Sequence, residues 1–124
     1  MATISKSWGT ETTIMNAVAV TTGSYSDAVD LETNGYEGAY VIVDADFPAS
    51  PTDNLEVHIQ GSLDGTNWDD TALFSFVVSK GTDPNQVSFI VKDVAHFRLY
   101  CKRSGSTDTI TVTAKYQAWR HQSA

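Results

Sequence analysis

The chain has one cysteine, Cys101, and three prolines in 124 residues. A single thiol forbids any internal disulfide, so the fold must be held by burial alone. A domain of this length buries roughly two-thirds of its unfolded surface, which is enough without staples. Long apolar runs are also missing. No stretch approaches the roughly 20 residues of a membrane span. The first apolar run, Ile14 to Val20, is short and has no basic lead-in, so no secretory leader is expected. There is no Asn-X-Ser/Thr acceptor, no phosphate-cradling glycine loop, no nucleophile elbow and no zinc spacing. Bases are scarce as well. The formal net charge is −7, which argues against nucleic acid, since phosphates demand a basic surface.

The scarcity of bases is uneven. Residues 1–79 hold twelve acids and one base, Lys6, whereas residues 80–124 hold three acids and seven bases. Two arrangements follow. An acidic and a basic surface can meet between copies and favour head-to-tail assembly. Alternatively, strands from the two halves interleave and the charges mix.

What the chain does have is alternation. Leu55, Val57 and Ile59, with Leu63, share one parity, and Glu56, His58, Gln60 and Ser62 the other. Ala72, Phe74, Phe76 and Val78 repeat the pattern beyond Asp64-Gly65, so residues 55–78 read as a hairpin turning at that dipeptide. The same period marks strands over 12–20, 25–31, 37–47, 86–92, 96–102 and 109–119. The 37–47 strand is apolar on both parities, which places it in mid-sheet or under a partner. Cys101 follows the parity of Phe97 and Leu99 and reads as a small core residue.

Eight strands without a helical period must bury their faces as a two-sheet sandwich or a barrel. The expected fold is an all-β, eight-stranded antiparallel sandwich of jelly-roll type, with an immunoglobulin-like sandwich as the rival. Residues 1–11 read as an N-terminal arm, 12–119 as the domain and 120–124 as a polar tail.

The chemistry-bearing residues do not assemble into a catalytic set, and the chain is read as no enzyme and as needing no metal or cofactor. His58, His96 and His121 lie far apart on polar parities. The acidic run Asp64 to Asp70 offers oxygen ligands, but Gly65 follows Asp64 at once and no closing glutamate follows, so turn chemistry is the better account. The carboxylate pairs Asp69-Asp70 and Asp44/Asp46 read as strand ends rather than as glycosidase acids. Aromatics are the remaining signal. Trp8, Trp68 and Trp119, with Tyr40 and Tyr100, do not all fit the core parity, and can pack the ends, fill an interface or stack on a sugar.

The hairpin motif V-x-I-x-G-S-x-D-G-x-x-W, here Val57 to Trp68, resembles one that recurs in small all-β virion proteins of tailed bacteriophages. Asp27-Ala-Val-Asp-Leu31, Gly38-Ala-Tyr-Val41 and Val94-Ala-His-Phe-Arg-Leu99 resemble the same group, so the likeness covers about residues 25–119. The hairpin also resembles parts of some carbohydrate-binding sandwiches. The phage resemblance implies a non-enzymatic structural protein, foremost a capsid decoration (cement) protein. Such a protein is made in the bacterial cytoplasm and bound as a dimer or trimer to the major capsid protein on the outside of the head, with no nucleic-acid or membrane partner. The alternative is a carbohydrate- or receptor-binding module of a tail or fibre. The contact residues expected are Trp8 in the arm, Trp68 beyond the hairpin tip, and Trp119, Arg120 and His121 at the C-terminal end.

Overall fold

The computed structural model describes residues 4–81 and 85–123. Its strands, in chain order, are β1 Ile4–Trp8, β2 Thr12–Val20, β3 Ser24–Tyr25, β4 Val29–Asp30, β5 Gly38–Asp46, β6 Leu55–Ser62, β7 Phe74–Val78, β8 Asn85–Lys92, β9 His96–Arg103 and β10 Ile110–Ser123. Every pairing is antiparallel. One sheet runs β2–β10–β5–β8, with β1 continuing along the same partner as β2. The other runs β3–β9–β6–β7, with β4 continuing beside β3. The chain's first and last long strands are neighbours, and each sheet draws its strands from both halves of the sequence. This is the jelly-roll order expected from the alternation.

The inward parities fill the space between the sheets. Val41 and Val43 of β5, Val57 and Ile59 of β6, Phe97, Leu99 and Cys101 of β9, and Ile110 and Val112 of β10 are fully buried. Cys101 sits against Met15, its Sγ 3.8 Å from the thioether sulfur. Burial pushes its thiol pKa up to about 12, so it is a core residue and no nucleophile. β5 lies in mid-sheet between β10 and β8, one of the two positions its double-sided apolar pattern allowed.

Four details differ from the alternation. First, residues 4–8 of the expected arm are strand β1, paired from Trp8↔Trp119 to Ile4↔Ser123, and the expected tail through Ser123 is the other half of that ribbon. The polar side chains hid a strand that is specified by backbone pairing. Second, the expected strand 25–31 breaks into β3 and β4 at the buried Ser26. There the hydroxyl accepts the Leu99 N–H at 2.9 Å and replaces one rung of the ladder. Third, β6 and β7 pair from Leu55↔Val78 to Ile59↔Phe74, so an eleven-residue connection, 63–73, separates them. Asp64-Gly65 is a turn inside that connection, not the two-residue hairpin tip. Fourth, Leu63 is 88% exposed rather than inward, because the strand has ended at Ser62.

At one end of the sandwich two buried aspartates clasp adjacent loops. Asp108 Oδ2 accepts the N–H groups of Thr52 at 2.7 Å and Asp53 at 2.8 Å. Asp53 Oδ2 in turn accepts those of Thr107 at 2.9 Å and Asp108 at 2.8 Å. The Asp53 N–H, foremost, holds the Asp108 carboxyl below its ordinary value.

Candidate functional site

Successive connections of an antiparallel jelly roll alternate between its two ends. The connections 31–37, 63–73 and 93–95 therefore share one end, together with the β1–β10 ribbon. Backbone bonds tie 31–37 to 93–95: Leu31 N–H to Ala95 O at 2.9 Å and Asp93 N–H to Glu37 O at 2.9 Å. These three connections contain six acids, Glu32, Glu37, Asp64, Asp69, Asp70 and Asp93, and no lysine or arginine. The described residues of the opposite connections, 21–23, 47–54, 79–81 and 104–109, hold only Asp53, Asp108 and Lys80, so acidic charge is concentrated at the first end.

The half-to-half split of the sequence does not survive folding. β9 and β10, rich in bases, lie in mid-sheet flanked by strands from the acidic half. Lys102 lies 3.9 Å from Glu56, and Lys115 lies 3.5 Å from Glu11. The interleaved arrangement is the one found, and the charge-based case for head-to-tail assembly falls with it.

Four of the five expected contact residues converge on the ribbon. β1 and β10 place Trp8 directly opposite Trp119, with ring centroids 5.7 Å apart and planes at 57°. The Lys6 ammonium lies over both indoles, 5.1 Å from Trp8 and 4.8 Å from Trp119. Such cation–π contacts contribute about 0.5–1 kcal/mol each at exposed sites. Trp119 is buried at 8% exposure, and Trp8 is left 47% exposed. Gly38 makes room for the Trp119 indole: a Cβ there would lie 2.5 Å from the ring and 2.8 Å from the Val91 carbonyl oxygen. The Arg120 guanidinium donates to Asn34 O at 3.0 Å and lies 5.8 Å from the centre of the Tyr36 ring. The His121 N–H donates to Glu37 Oε2 at 2.8 Å, and its ring contacts the same carboxylate. This side-chain bond, foremost, lowers the Glu37 pKa. Arg120 and His121 therefore dock the ribbon onto the acidic end, and Trp8 is the member left open to solvent.

Trp68 is elsewhere. It lies over the outer face of the β3–β9–β6–β7 sheet, where the Arg98 guanidinium sits 4.5 Å from its ring and 4.0 Å from the Tyr25 ring. Tyr25 also meets Tyr100 at a centroid separation of 4.7 Å. Arg98 is steadied by Gln60 Oε1, which accepts its Nε–H at 2.8 Å. The Arg98 guanidinium thus occupies one face of the Trp68 ring and one face of the Tyr25 ring. The contacts span residues 25, 68 and 98, and no local pattern announces them.

The acidic hairpin connection is closed on itself. Asp64 Oδ1 accepts the N–H groups of Thr66 and Asn67, each at 2.8 Å, and Oδ2 accepts the Asn67 side-chain amide at 2.8 Å. The Asn67 N–H, foremost, holds the Asp64 carboxyl well below its ordinary value. Gly65 supplies the φ of +77° that this turn requires. The carboxylate is spent on the turn. Of the histidines, His96 lies 3.8 Å from Asp30 and 3.5 Å from Glu32, His58 lies 3.2 Å from Glu56, and no two of the three share a site. Among the described residues no group of three His, Cys, Asp or Glu is placed to hold a metal ion. A scan against protein-family models and a search of curated proteins found no match to this chain.

Proposed function

We propose that the protein is a non-enzymatic structural component of a tailed-bacteriophage virion: a capsid decoration protein that binds the outer surface of the head shell and stabilises it. The observation that carries this reading is the terminal ribbon. It presents a half-exposed tryptophan, braced by Lys6 and Trp119, beside an acidic end. A rigid, partly buried aromatic that still offers surface is the kind of residue that dominates an interface. The motif resemblance over residues 25–119 supports the virion setting, and the major capsid protein is the partner it implies. Bound as a dimer or trimer, the protein adds weak contacts across several capsid subunits at once, and their effective concentration makes the sum strong. Binding to the assembled shell alone then stabilises that state by mass action. The guanidinium-covered rings at Trp68 and Tyr25 give less support to a glycan-binding tail module.

The test is Trp8→Ala, with occupancy on purified heads as the readout. The indole packs on the sandwich surface and not in the core, so melting should fall by only a few degrees. Occupancy should drop at least tenfold, the scale of an interface anchor. Undiminished binding by a folded Trp8→Ala protein would remove the ribbon as the anchor.

A further inference from the structure

The two sides of the sandwich are finished differently. On one lie β2 and the short strands β3 and β4; on the other lie β8 and β7, the last strands of their sheets. A strand at a sheet edge presents a row of unpaired N–H and C=O groups, and proteins blunt such edges with bulges, short strands, prolines or charges. The first side is blunted. β2 shifts register twice along β10, with Ala17 at a φ of 48°. β3 and β4 are two residues each, and the Asp27 N–H crosses to Ile14 O of the other sheet at 3.0 Å.

The second side has none of these devices. β8 runs eight residues in unbroken register with β5, and β7 runs five with β6. Among the described residues neither strand has another pairing partner. Together they hold no proline and a single charged residue, Lys92 at the end of β8. Side chains close the gap between the sheets: the Phe89 ring meets Phe76 at a centroid separation of 5.1 Å and Phe74 at 5.8 Å. These rings point inward by parity, yet Phe74 is 39% exposed and Phe76 and Phe89 are half-buried, whereas the inward residues of β5 and β9 are fully buried. Ile90 and Val77 flank this seam on the two outer faces, each more than half exposed.

An unpaired edge accepts another strand, and one copy of β8 suits a second. Antiparallel pairing about a two-fold axis is self-complementary. An axis normal to the sheet continues it into the copy and brings β7 towards its own copy, so each phenylalanine seam closes on the other. The scarcity of charge favours this side, because two chains of net charge −7 meet best where like charges are fewest. The area suffices. The eight residues of β8 span about 27 Å and the side of a two-sheet sandwich is roughly 20 Å deep, so the joint covers about 1,000 Å² over both copies, about the least that a specific interface needs.

We propose that the protein is a two-fold dimer in which β8 pairs antiparallel with β8 of a second copy. The dimer belongs to the free protein and does not rest on capsid attachment. β8 and β1 lie at opposite edges of their sheet, so both Trp8 ribbons stay open.

The experiment is sedimentation equilibrium on the full chain without heads, joined to amide hydrogen exchange read by NMR. Twice the chain mass is expected, with slow exchange at successive β8 amides; in a lone edge strand only alternate amides, those bonded to β5, are protected. The double variant Gln86→Lys with Ile90→Lys alters two exposed outer-face residues and sets ammonium groups against their own copies. It should dimerise at least tenfold more weakly and free every second β8 amide, while its melting curve shows whether the fold is intact. A monomer at high micromolar concentration, a trimer, a dimer lacking the added β8 protection, or equal dimerisation by the folded variant would overturn the proposal. The wild-type exchange pattern decides the matter even if the variant does not fold. Protection of β8 that arises only when heads are added would give the edge to a capsid strand and overturn the second copy.

Discussion

Asp53 is the residue at which the fold is most open to a quantitative test. Its carboxylate is the acceptor for two backbone donors on the 104–109 loop, and its own N–H serves Asp108. Asp53→Ala keeps the second bond and strands the Thr107 and Asp108 N–H groups. Each stranded buried donor costs about 1–3 kcal/mol, and the Asp108 amide is the more buried of the two, so the loss should total about 3 kcal/mol. Against a domain stability of about 5–15 kcal/mol that is a large fraction, and it should lower the melting temperature by about 10 °C. Calorimetry on the two proteins measures it directly. A companion substitution tests the cause. A Cβ at Gly105 would lie 2.1 Å from Asp53 Oδ1, so Gly105→Ala should destabilise by pushing that carboxylate off its donors. Once Asp53 is alanine the space is free, so the double variant should cost less than the sum of the singles. A melting change under about 2 °C for Asp53→Ala, set against the stranded-donor cost, or strict additivity with Gly105→Ala, would refute the clasp.

Two further outcomes follow from the geometry. Gly38→Ala places a methyl group 2.5 Å from the Trp119 ring, and the overpacking should cost about 1–3 kcal/mol and expose that indole, read as a red shift in tryptophan emission. Acid should destabilise the protein: Asp30, Glu37, Asp64 and Asp108 all have folded pKa values below their ordinary ones, 3.8 for the aspartates and 4.5 for Glu37. A depressed carboxyl contributes its full share above the ordinary value and loses it as pH falls through the folded value. Melting temperature should therefore be flat above about pH 5 and fall below about pH 4; a rise on acidification from pH 5 to 3 would contradict these assignments.

Seven of the eight expected strands, β2 and β5 to β10, were legible because alternation is a local consequence of one buried face. The core parity of Phe97, Leu99 and Cys101, and the mid-sheet place of β5, came from the same source. β1 was not legible, since ISKSW is short and has no continuous apolar face, and it is a strand because β10 runs four residues, 120–123, beyond its last β5 pair to meet it. Ser26 also escaped, because the Leu99 N–H that it receives comes from 73 residues away. Of the contact residues at the two termini, Trp8 and Trp119 were identified singly as aromatics, and Arg120 and His121 by their place at a chain end. Their convergence depends on the first and last strands being neighbours, which is a property of the wiring. Asp44 was visible only as half of a pair with Asp46. Folding puts both on one face of β5, but it shields an oxygen of Asp44 and leaves Asp46 exposed.

The wiring also decides how charge should be read. A jelly roll interleaves the halves of its sequence, so a charge split along the chain becomes ion pairs across strands: Lys102 with Glu56, Lys115 with Glu11. A polarity that alternates with the connections survives, because alternate connections go to opposite ends. Here the acids of 31–37, 63–73 and 93–95 add up at the end where the ribbon docks through Arg120 and His121. The Arg120 guanidinium neutralises part of that field locally and, with His121, orients the ribbon, while the Trp8 ring remains open beside the rest. An attachment made there combines a short-range aromatic contact with a longer-range field that salt screens over about 8–10 Å. If the ribbon is the anchor, raising salt should slow attachment to heads while Trp8→Ala chiefly speeds release, since charge steers encounter and packing sets residence.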